Sequence, residues 1–242
     1  FRPILVAVTY IPTNSGLVQP IERIGQICRH YKILYLVDAC QSAGQRILDV
    51  NAIGCDFLTA TLRKYMRGPR GAGFMYASDR VLQPNQFMLL PDMIGADWTG
   101  IDSWKTNPTA KRFEYFEYSP AIKIGSAVAT RYLLSQDQQW IQDRITHLGQ
   151  VLRNRLSDIP DVRVLDHGTH LCGIVTAYHP AFQGYKIRDW LREQRVNTSV
   201  STLNAAQIDF SRKGIDAALR LSVHYYNTEE ELEQAVAFID QF

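Results

Sequence analysis

Lys64 lies in a basic, glycine-rich segment, residues 61–73, whose residue types could carry covalent chemistry. Asp38 ends an apolar run earlier in the chain, and Gln41 follows it three residues later. Pyridoxal phosphate (PLP) needs a lysine for its Schiff base, a carboxylate at its pyridinium nitrogen, and cationic or hydroxyl groups at its phosphate. The pattern therefore predicts a PLP site in which Lys64 is the reactive residue.

Each of these residues also has a purely structural interpretation. Asp38 could cap a helix or a turn, and the basic segment could be a solvated face. Glycines favour a binding loop, because they permit unusual dihedral angles and close approach of the backbone. Thr61 and Arg63 could converge on one phosphate if the segment forms a tight turn. Arg220 alternates with apolar residues, so it forms either an internal ion pair or a binding site for a substrate carboxylate.

Other chemistries have little support in the sequence. The four cysteines are scattered without a CxxC pair and are expected to be reduced, buried thiols. The six histidines lack metal-binding spacing, and no G-x-S-x-G motif occurs. A net charge of +2 and the absence of an apolar run near ~20 residues argue against nucleic acid and membrane partners. We expect a metal-free cytoplasmic protein that acts on a small molecule.

The elements predicted around Lys64 alternate between strand and helix. We expect strands at 4–9, 33–37, 57–60 and 73–76, and helical segments at 20–30 and 49–53. Such alternation predicts an α/β fold with a doubly wound, mostly parallel sheet, which binds ligands at the carboxyl ends of its strands. Asp38 and the Thr61–Lys64 segment both follow such ends.

The remainder of the chain predicts a second domain. Residues 82–109 are expected to be irregular and to form a lid, a binding loop or an interface. Helices are then predicted at 121–134, 138–156, 185–193 and 228–240, the last with a capping box at Thr228 and Glu231. Strands are predicted at 162–165, 171–178 and 220–224. We therefore assign residues 1–134 to part of a large domain and 135–242 to a small C-terminal α+β domain.

Several motifs in this order resemble the class V aminotransferase family of fold-type I PLP enzymes, which includes cysteine desulfurases, isopenicillin N epimerase-like proteins and C–S lyases. The motifs are Val-Asp-Ala-Cys-Gln-Ser at 37–42, Thr-Leu-Arg-Lys at 61–64, Gly-Pro-Arg-Gly-Ala-Gly-Phe-Met-Tyr at 68–76, and Arg-Leu-Ser at 220–222. The resemblance covers the whole chain. It implies the fold-type I large domain followed by a small domain, and a chain that lacks the N-terminal part of that large domain.

The resemblance implies a role for each matched position. Lys64 forms the Schiff base and moves the substrate Cα proton, and Asp38 faces the pyridinium nitrogen. Gln41 contacts the phenolic oxygen of the cofactor. Thr61 binds the phosphate, and Arg63 occupies a position where many members have a phosphate-binding His.

Two further positions complete the set that the resemblance implies. Arg220 binds the α-carboxylate of the substrate. Thr13 lies where desulfurases have an Asn near the phenolic oxygen, and Asn14 is the alternative if the register is shifted by one residue.

The sequence departs from the family pattern in two places. Desulfurases carry a persulfide-forming cysteine before the Arg220 motif, but residues 197–204 contain none, and Cys172 lies in an apolar run. We therefore expect no persulfide chemistry. Arg112-Phe113-Glu114 matches a family signature but lacks the Gly-Thr that usually follows, with Ser119 as a substitute.

Three hypotheses follow. The first is a homodimeric PLP enzyme that acts at Cα or Cβ of an amino acid by elimination, epimerisation or transamination, with residues 98–118 as the dimer interface or a lid. The second is a catalytically incomplete fragment that serves as a dimerisation or interaction module. The third is a basic phosphate-binding protein that uses Arg63, Arg67 and Arg70.

Overall fold

The computed structural model describes residues 3–83, 91–182 and 184–242. The chain forms two compact units, and the main division follows Ser135. The second unit also takes in two short segments from the first part of the sequence, 11–19 and 44–47.

The first unit is built on a four-stranded sheet with the order β1-β2-β3-β4. The strands are β1 (Leu5–Thr9), β2 (Leu34–Asp38), β3 (Phe57–Thr61) and β4 (Gly73–Ala77). The first three strands are parallel, and β4 runs antiparallel to β3. The four predicted strands and the mostly parallel sheet are confirmed, with ends that differ by one residue.

Two helices connect the parallel strands. Helix α1 (Ile21–His30) turns its small and apolar residues inward, including Gly25, whose added Cβ would lie 1.8 Å from the carbonyl oxygen of Ile53. Helix α2 (Val50–Ile53) begins at Asp49, whose side chain accepts hydrogen bonds from its first N–H groups. Because β1, β2 and β3 are parallel neighbours, their carboxyl ends share one edge of the sheet.

The segment predicted to be irregular contains regular structure, so that prediction was wrong for part of its length. After α3 (Asp79–Leu82), strands β5 (Ala96–Gly100) and β6 (Ser103–Thr106) form a hairpin. Trp98 and Trp104 are paired across it, and cross-strand aromatic pairs stabilise hairpins. Residues 84–90 lie outside the described part. Helix α4 (Pro120–Leu134) then ends the first unit.

The second unit is α+β, as predicted. Helix α5 (Gln138–Ser157) precedes a sheet of order β7-β8-β10-β9, whose strands are all antiparallel. The strands are β7 (Arg163–Val164), β8 (Ile174–Tyr178), β9 (Ser199–Thr202) and β10 (Ala217–Ser222). The helices are α6 (Tyr185–Glu193), α7 (Gln207–Lys213) and α8 (Glu229–Asp240).

The sequence predicted these elements unevenly. The α6 bounds and the capping box are confirmed, since Thr228 Oγ1 accepts from the Glu231 N–H at 3.2 Å and Glu231 accepts from the Thr228 N–H at 3.1 Å. Strand β10 begins and ends before the predicted 220–224. Strand β9 and helix α7 were not predicted.

A buried ion pair stabilises the second unit. Arg153 donates to Asp166 over 2.9 Å, and the two side chains are 5% and 0% exposed. Asp166 also accepts from the N–H of Gly16 at 2.9 Å and from Thr176 Oγ1 at 2.6 Å. Arg153 donates further to the carbonyl oxygen of Cys172. The network thus ties the segment around Gly16 to the small sheet.

Candidate active site

Asp38 and Thr61 are the last residues of two neighbouring parallel strands. Asp38 pairs with Thr59 in the β2–β3 register, so these two side chains share a face of the sheet. Thr61, two residues beyond Thr59, lies on that same face because side chains alternate along a strand. Residues of the opposite face, including Val37 and Leu58, form the core of the unit. The sheet edge thus presents a carboxylate and two hydroxyl groups on one face.

A tight turn follows β2 and fixes the Asp38 carboxylate. Its Oδ1 accepts a hydrogen bond from the Cys40 N–H at 2.8 Å. The N–H groups of Ser42 and Ala43 both donate to the carbonyl oxygen of Ala39, at 3.0 and 2.9 Å. Asp38 is therefore a turn residue, as its structural interpretation suggested, and its carboxylate also lies at the ligand-binding edge of the sheet.

The segment that contains Lys64 is a closed loop. The Leu62 N–H donates to Ala72 O at 3.1 Å, and the Gly68 N–H donates to Leu62 O at 2.7 Å. The Arg67 N–H donates to Lys64 O at 2.8 Å. A Cβ at position 68 would lie 2.7 Å from the Cβ of Leu62, so this glycine permits the chain to close on itself.

The loop separates its apolar and charged side chains. Leu62, Tyr65 and Met66 are buried, whereas the three arginines are exposed and Lys64 is half-buried. The arginines are Arg63, Arg67 and Arg70. The loop therefore carries a half-buried Lys64 among buried apolar residues and exposed arginines.

Thr61 uses its hydroxyl within this loop. Its Oγ1 donates to the Ala72 carbonyl oxygen at 3.4 Å, which joins the end of β3 to the start of β4. The hydroxyl oxygen of Thr61 can still accept a hydrogen bond. Its proton would have to turn away from the Ala72 carbonyl before the hydroxyl could donate to a phosphate.

The pKa of the Cys40 thiol depends on three of the candidate residues. Burial raises the pKa of this thiol, and a hydrogen bond to Asp38 together with the negative charge of Asp38 raises it further. The positive charge of Lys64 and the N–H of Thr61 act in the opposite direction. Asp38, Thr61 and Lys64 therefore all influence the pKa of one thiol. Gln41, the residue after Cys40, is buried.

Cys40 is the residue that sequence reasoning missed. The sequence predicts that all four cysteines are buried. The other three are buried, but Cys40 is only half-buried. The sequence signal that could have identified Cys40 is its position between the candidate residues Asp38 and Gln41.

The other two candidate residues belong to the second unit. Arg220 lies on β10 opposite Ser199, and its Nη1 donates to Ser199 Oγ at 3.2 Å. Thr13 is exposed on the segment 11–19. Asn14, the alternative to Thr13, donates from Nδ2 to the carbonyl oxygen of Ala205 at 2.9 Å.

The Arg112 signature has a structural role in the first unit. Arg112 is buried and donates to the carbonyl oxygens of Asn107 and Leu82, at 2.8 and 2.6 Å. Ser119 caps α4 by accepting from the Ile122 N–H. A cavity of about 700 Å³ lies beside β4 and α4, but its described lining includes neither Asp38 nor Lys64.

These groups meet the chemical requirements of PLP. A carboxylate held at a sheet edge, an amine on the next loop, a hydroxyl at the strand end and exposed guanidinium groups are all present in the first unit. Metal chemistry has no comparable donor set, since no cluster of His, Cys, Asp and Glu able to hold a metal occurs in the described ranges. Within the same ranges, no helix has the length and apolar character needed to cross a membrane.

Comparison with known proteins identifies the class. The model of the family "Aminotransferase class-V" matches residues 2–235. The apo cysteine desulfurase of Thermococcus onnurineus NA1 has the same fold, with a TM-score of 0.86 and 24% identity over 98% of this chain and 59% of that structure. The fold is therefore that of a fold-type I enzyme, with part of the large domain and the small domain represented. The chain belongs to the aminotransferase class-V family.

Two curated relatives illustrate the range of the family. A probable hercynylcysteine sulfoxide lyase of Mycobacterium tuberculosis is 28% identical over 96% of this chain and 55% of its own length. A probable cysteine desulfurase of Methanothermobacter thermautotrophicus is 29% identical over 95% of this chain and 58% of its own length. The chain thus spans little more than half the length of these relatives.

Proposed function

We propose that the protein is a PLP-dependent enzyme that cleaves the C–S bond of a sulfur-containing amino acid without a persulfide cysteine. The observation that supports this function most strongly is that Asp38 and Thr61 end two neighbouring parallel strands, with Lys64 on the loop that follows β3. Ligands of parallel sheets bind at this edge.

Each candidate residue of the first unit binds a different part of the cofactor. PLP, when bound, supplies an electron sink for negative charge at the substrate carbon. Asp38 keeps the ring nitrogen protonated, and Lys64 attaches the cofactor and removes the Cα proton of the substrate. Thr61 and Arg63 bind the phosphate, and Gln41 donates to the phenolic oxygen.

The second unit supplies substrate recognition. Arg220 binds the α-carboxylate, because a guanidinium group matches a carboxylate with two parallel hydrogen bonds. Ser199 orients Arg220 by accepting from Nη1 at 3.2 Å. Thr13, which is exposed, is the candidate for the position near the phenolic oxygen.

Lyase chemistry is favoured over persulfide transfer by the distribution of thiols. Residues 197–204, which precede Arg220, include β9 and contain no cysteine. Cys172 is 1% exposed, and burial raises the pKa of its thiol to about 11. A thiol that is both protonated and covered is a poor nucleophile. The similarity to a probable hercynylcysteine sulfoxide lyase agrees with this choice.

We also propose that the enzyme is a homodimer. Apolar side chains are exposed along the hairpin and the segment after it, as expected of an interface. These residues include Trp98 (79% exposed), Ile101 (90%) and Tyr115 (76%). The same exposed surface supports the second candidate function, a catalytically incomplete interaction module, given that the chain spans about half the length of its relatives.

An assay with defined sulfur substrates tests the proposal. The purified protein is incubated with PLP and then with L-cystine or an S-oxide of an S-substituted cysteine. Elimination followed by hydrolysis yields pyruvate, ammonia and the sulfur-containing leaving group. We expect pyruvate from the wild type and none from Lys64→Ala. Bound PLP without pyruvate would contradict C–S cleavage, and the absence of both would favour the interaction module.

A further inference from the structure

Cys40 differs from the other cysteines in both position and exposure. Cys28, Cys55 and Cys172 are at most 4% exposed, whereas Cys40 is half-buried. It lies on the turn that follows β2, two residues after Asp38. Its thiol is therefore the one among the four that lies at the candidate cofactor site.

Two donors of Cys40 act on the same carboxylate. Its backbone N–H donates to Asp38 Oδ1 at 2.8 Å, and its thiol forms a hydrogen bond with the Asp38 side chain. Two donors from one residue restrict rotation of the carboxylate about its Cβ–Cγ bond. A carboxylate that must meet a ring nitrogen benefits from such preorganisation.

The sulfur also accepts from the neighbouring strand. The Ala39 N–H donates to Thr59 O at 2.7 Å, which is where the β2–β3 ladder ends. The N–H of Thr61, two residues further along, points to the same side of β3, where β2 no longer provides a carbonyl partner. The Cys40 sulfur lies near this N–H. The end of β3 thus acts on a thiol that is carried by the turn after β2.

We propose that Cys40 is a positioning residue of the cofactor site, which fixes the Asp38 carboxylate through its backbone N–H and its thiol. This role rests on the proposed function, because it assigns Cys40 to the site in which Asp38 meets the cofactor. The charged groups that act on the thiol are Asp38 at the end of β2 and Lys64 on the loop after β3.

The contact can be tested without cofactor by measuring how fast Cys40 is alkylated at different pH values. Iodoacetamide modification of the Cys40 peptide is followed by mass spectrometry in the purified protein. Asp38→Asn removes a charge that raises the pKa of the thiol, so the alkylation profile should move to lower pH. A fall of one pKa unit increases the thiolate fraction roughly tenfold below the pKa. Asp102→Asn, an exposed hairpin carboxylate, should leave the profile unchanged.

A second variant separates this contact from a loss of structure. Lys64→Gln removes a charge that lowers the pKa of the thiol, so the profile should move in the opposite direction, to higher pH. Unfolding would instead expose Cys28, Cys55 and Cys172 to alkylation in either variant. Identical Cys40 profiles in the wild type, Asp38→Asn and Lys64→Gln would overturn the proposal.

Cofactor binding provides the second readout. Cys40→Ser keeps a donor for Asp38 and should bind PLP within about twofold of the wild type, whereas Cys40→Ala should bind roughly tenfold more weakly. PLP affinity is measured from the visible absorbance of the bound cofactor. Equal affinity of the Ala variant and the wild type would refute the positioning role. If the wild type itself binds no PLP, the proposed function fails, and the alkylation profiles alone decide whether the thiol engages Asp38.

Discussion

Arg220 and Ser199 lie directly opposite each other on β10 and β9, and Arg220 Nη1 donates to Ser199 Oγ over 3.2 Å. Arg220 is half-buried on its strand, between Leu219 and Leu221, which are buried. The hydroxyl therefore limits the orientations open to a guanidinium group that is to receive a substrate carboxylate.

Loss of this contact should weaken substrate binding more than it slows the chemical step. Ser199→Ala should raise KM for the amino acid about threefold to tenfold and change kcat less. Arg220→Lys should raise KM on the order of a hundredfold, because an ammonium group cannot form the paired hydrogen bonds. Ser201→Ala, on the same strand and face, is the control. Equal KM values for Ser199→Ala and wild type would remove Ser199 from substrate binding.

The proposal that the enzyme works without a persulfide cysteine makes a separate prediction. After incubation with PLP and L-cysteine, mass spectrometry should detect no persulfide on any of the four cysteine peptides. Cys172 should also resist iodoacetamide at pH 8 in the folded protein, because burial raises the pKa of its thiol to about 11 and the thiolate is scarce below that value. In denaturant the same thiol should react readily. A persulfide on Cys172 would assign the protein to desulfurase chemistry.

The buried ion pair of the second unit should control its stability. Asp166→Ala leaves Arg153 buried without its carboxylate and should lower the free energy of unfolding by about 3–5 kcal/mol. Glu233→Gln breaks the half-exposed pair with Arg155 and should cost less than about 1 kcal/mol. Urea unfolding followed by circular dichroism measures both values. Similar losses of unfolding free energy in the two variants would show that burial does not increase the contribution of the Arg153–Asp166 pair to stability.

The exposed hairpin should matter for assembly. Trp98→Ser and Trp104→Ser remove apolar surface that is 79% and 57% exposed, so each should shift the protein from dimer towards monomer. Ile208→Ser removes a side chain that is 72% exposed on α7 and serves as the control. Light scattering after size-exclusion chromatography reports the molar mass. Dimers of unchanged stability in both Trp variants would locate the interface elsewhere.

The sequence predicted the parts of the fold whose signals are local. Apolar runs in alternation with helical segments predicted β1 to β4, and the Thr228–Glu231 spacing predicted the start of α8. The hairpin was missed because its stabilising contact is the cross-strand pair Trp98–Trp104, which a reading for local turn residues does not detect. Strand β9 was missed because its four residues, Ser-Val-Ser-Thr, gain their partners only from β10.

The candidate site was predicted to a similar degree. Motif order made Asp38 and Lys64 candidates, and their roles stay predictions, while the strand register brings Asp38 and Thr59 onto one face. The position of Cys40 between Asp38 and Gln41 was visible in the sequence, but the role proposed for its thiol depends on where β2 ends beside β3, which the sequence does not show. The sequence predicts that Gly68 belongs to a binding loop. It also has a packing role, because a Cβ at this position would lie 2.7 Å from the Cβ of Leu62.

Borohydride trapping shows whether Lys64 carries the cofactor. The protein is incubated with PLP, reduced with sodium borohydride and digested, and the modified peptide is located by mass spectrometry. We expect the stable adduct on Lys64 in the wild type, its loss in Lys64→Ala, and its retention in Lys111→Ala. A specific adduct on another lysine, or no adduct in the wild type, would show that Lys64 is not the Schiff-base residue.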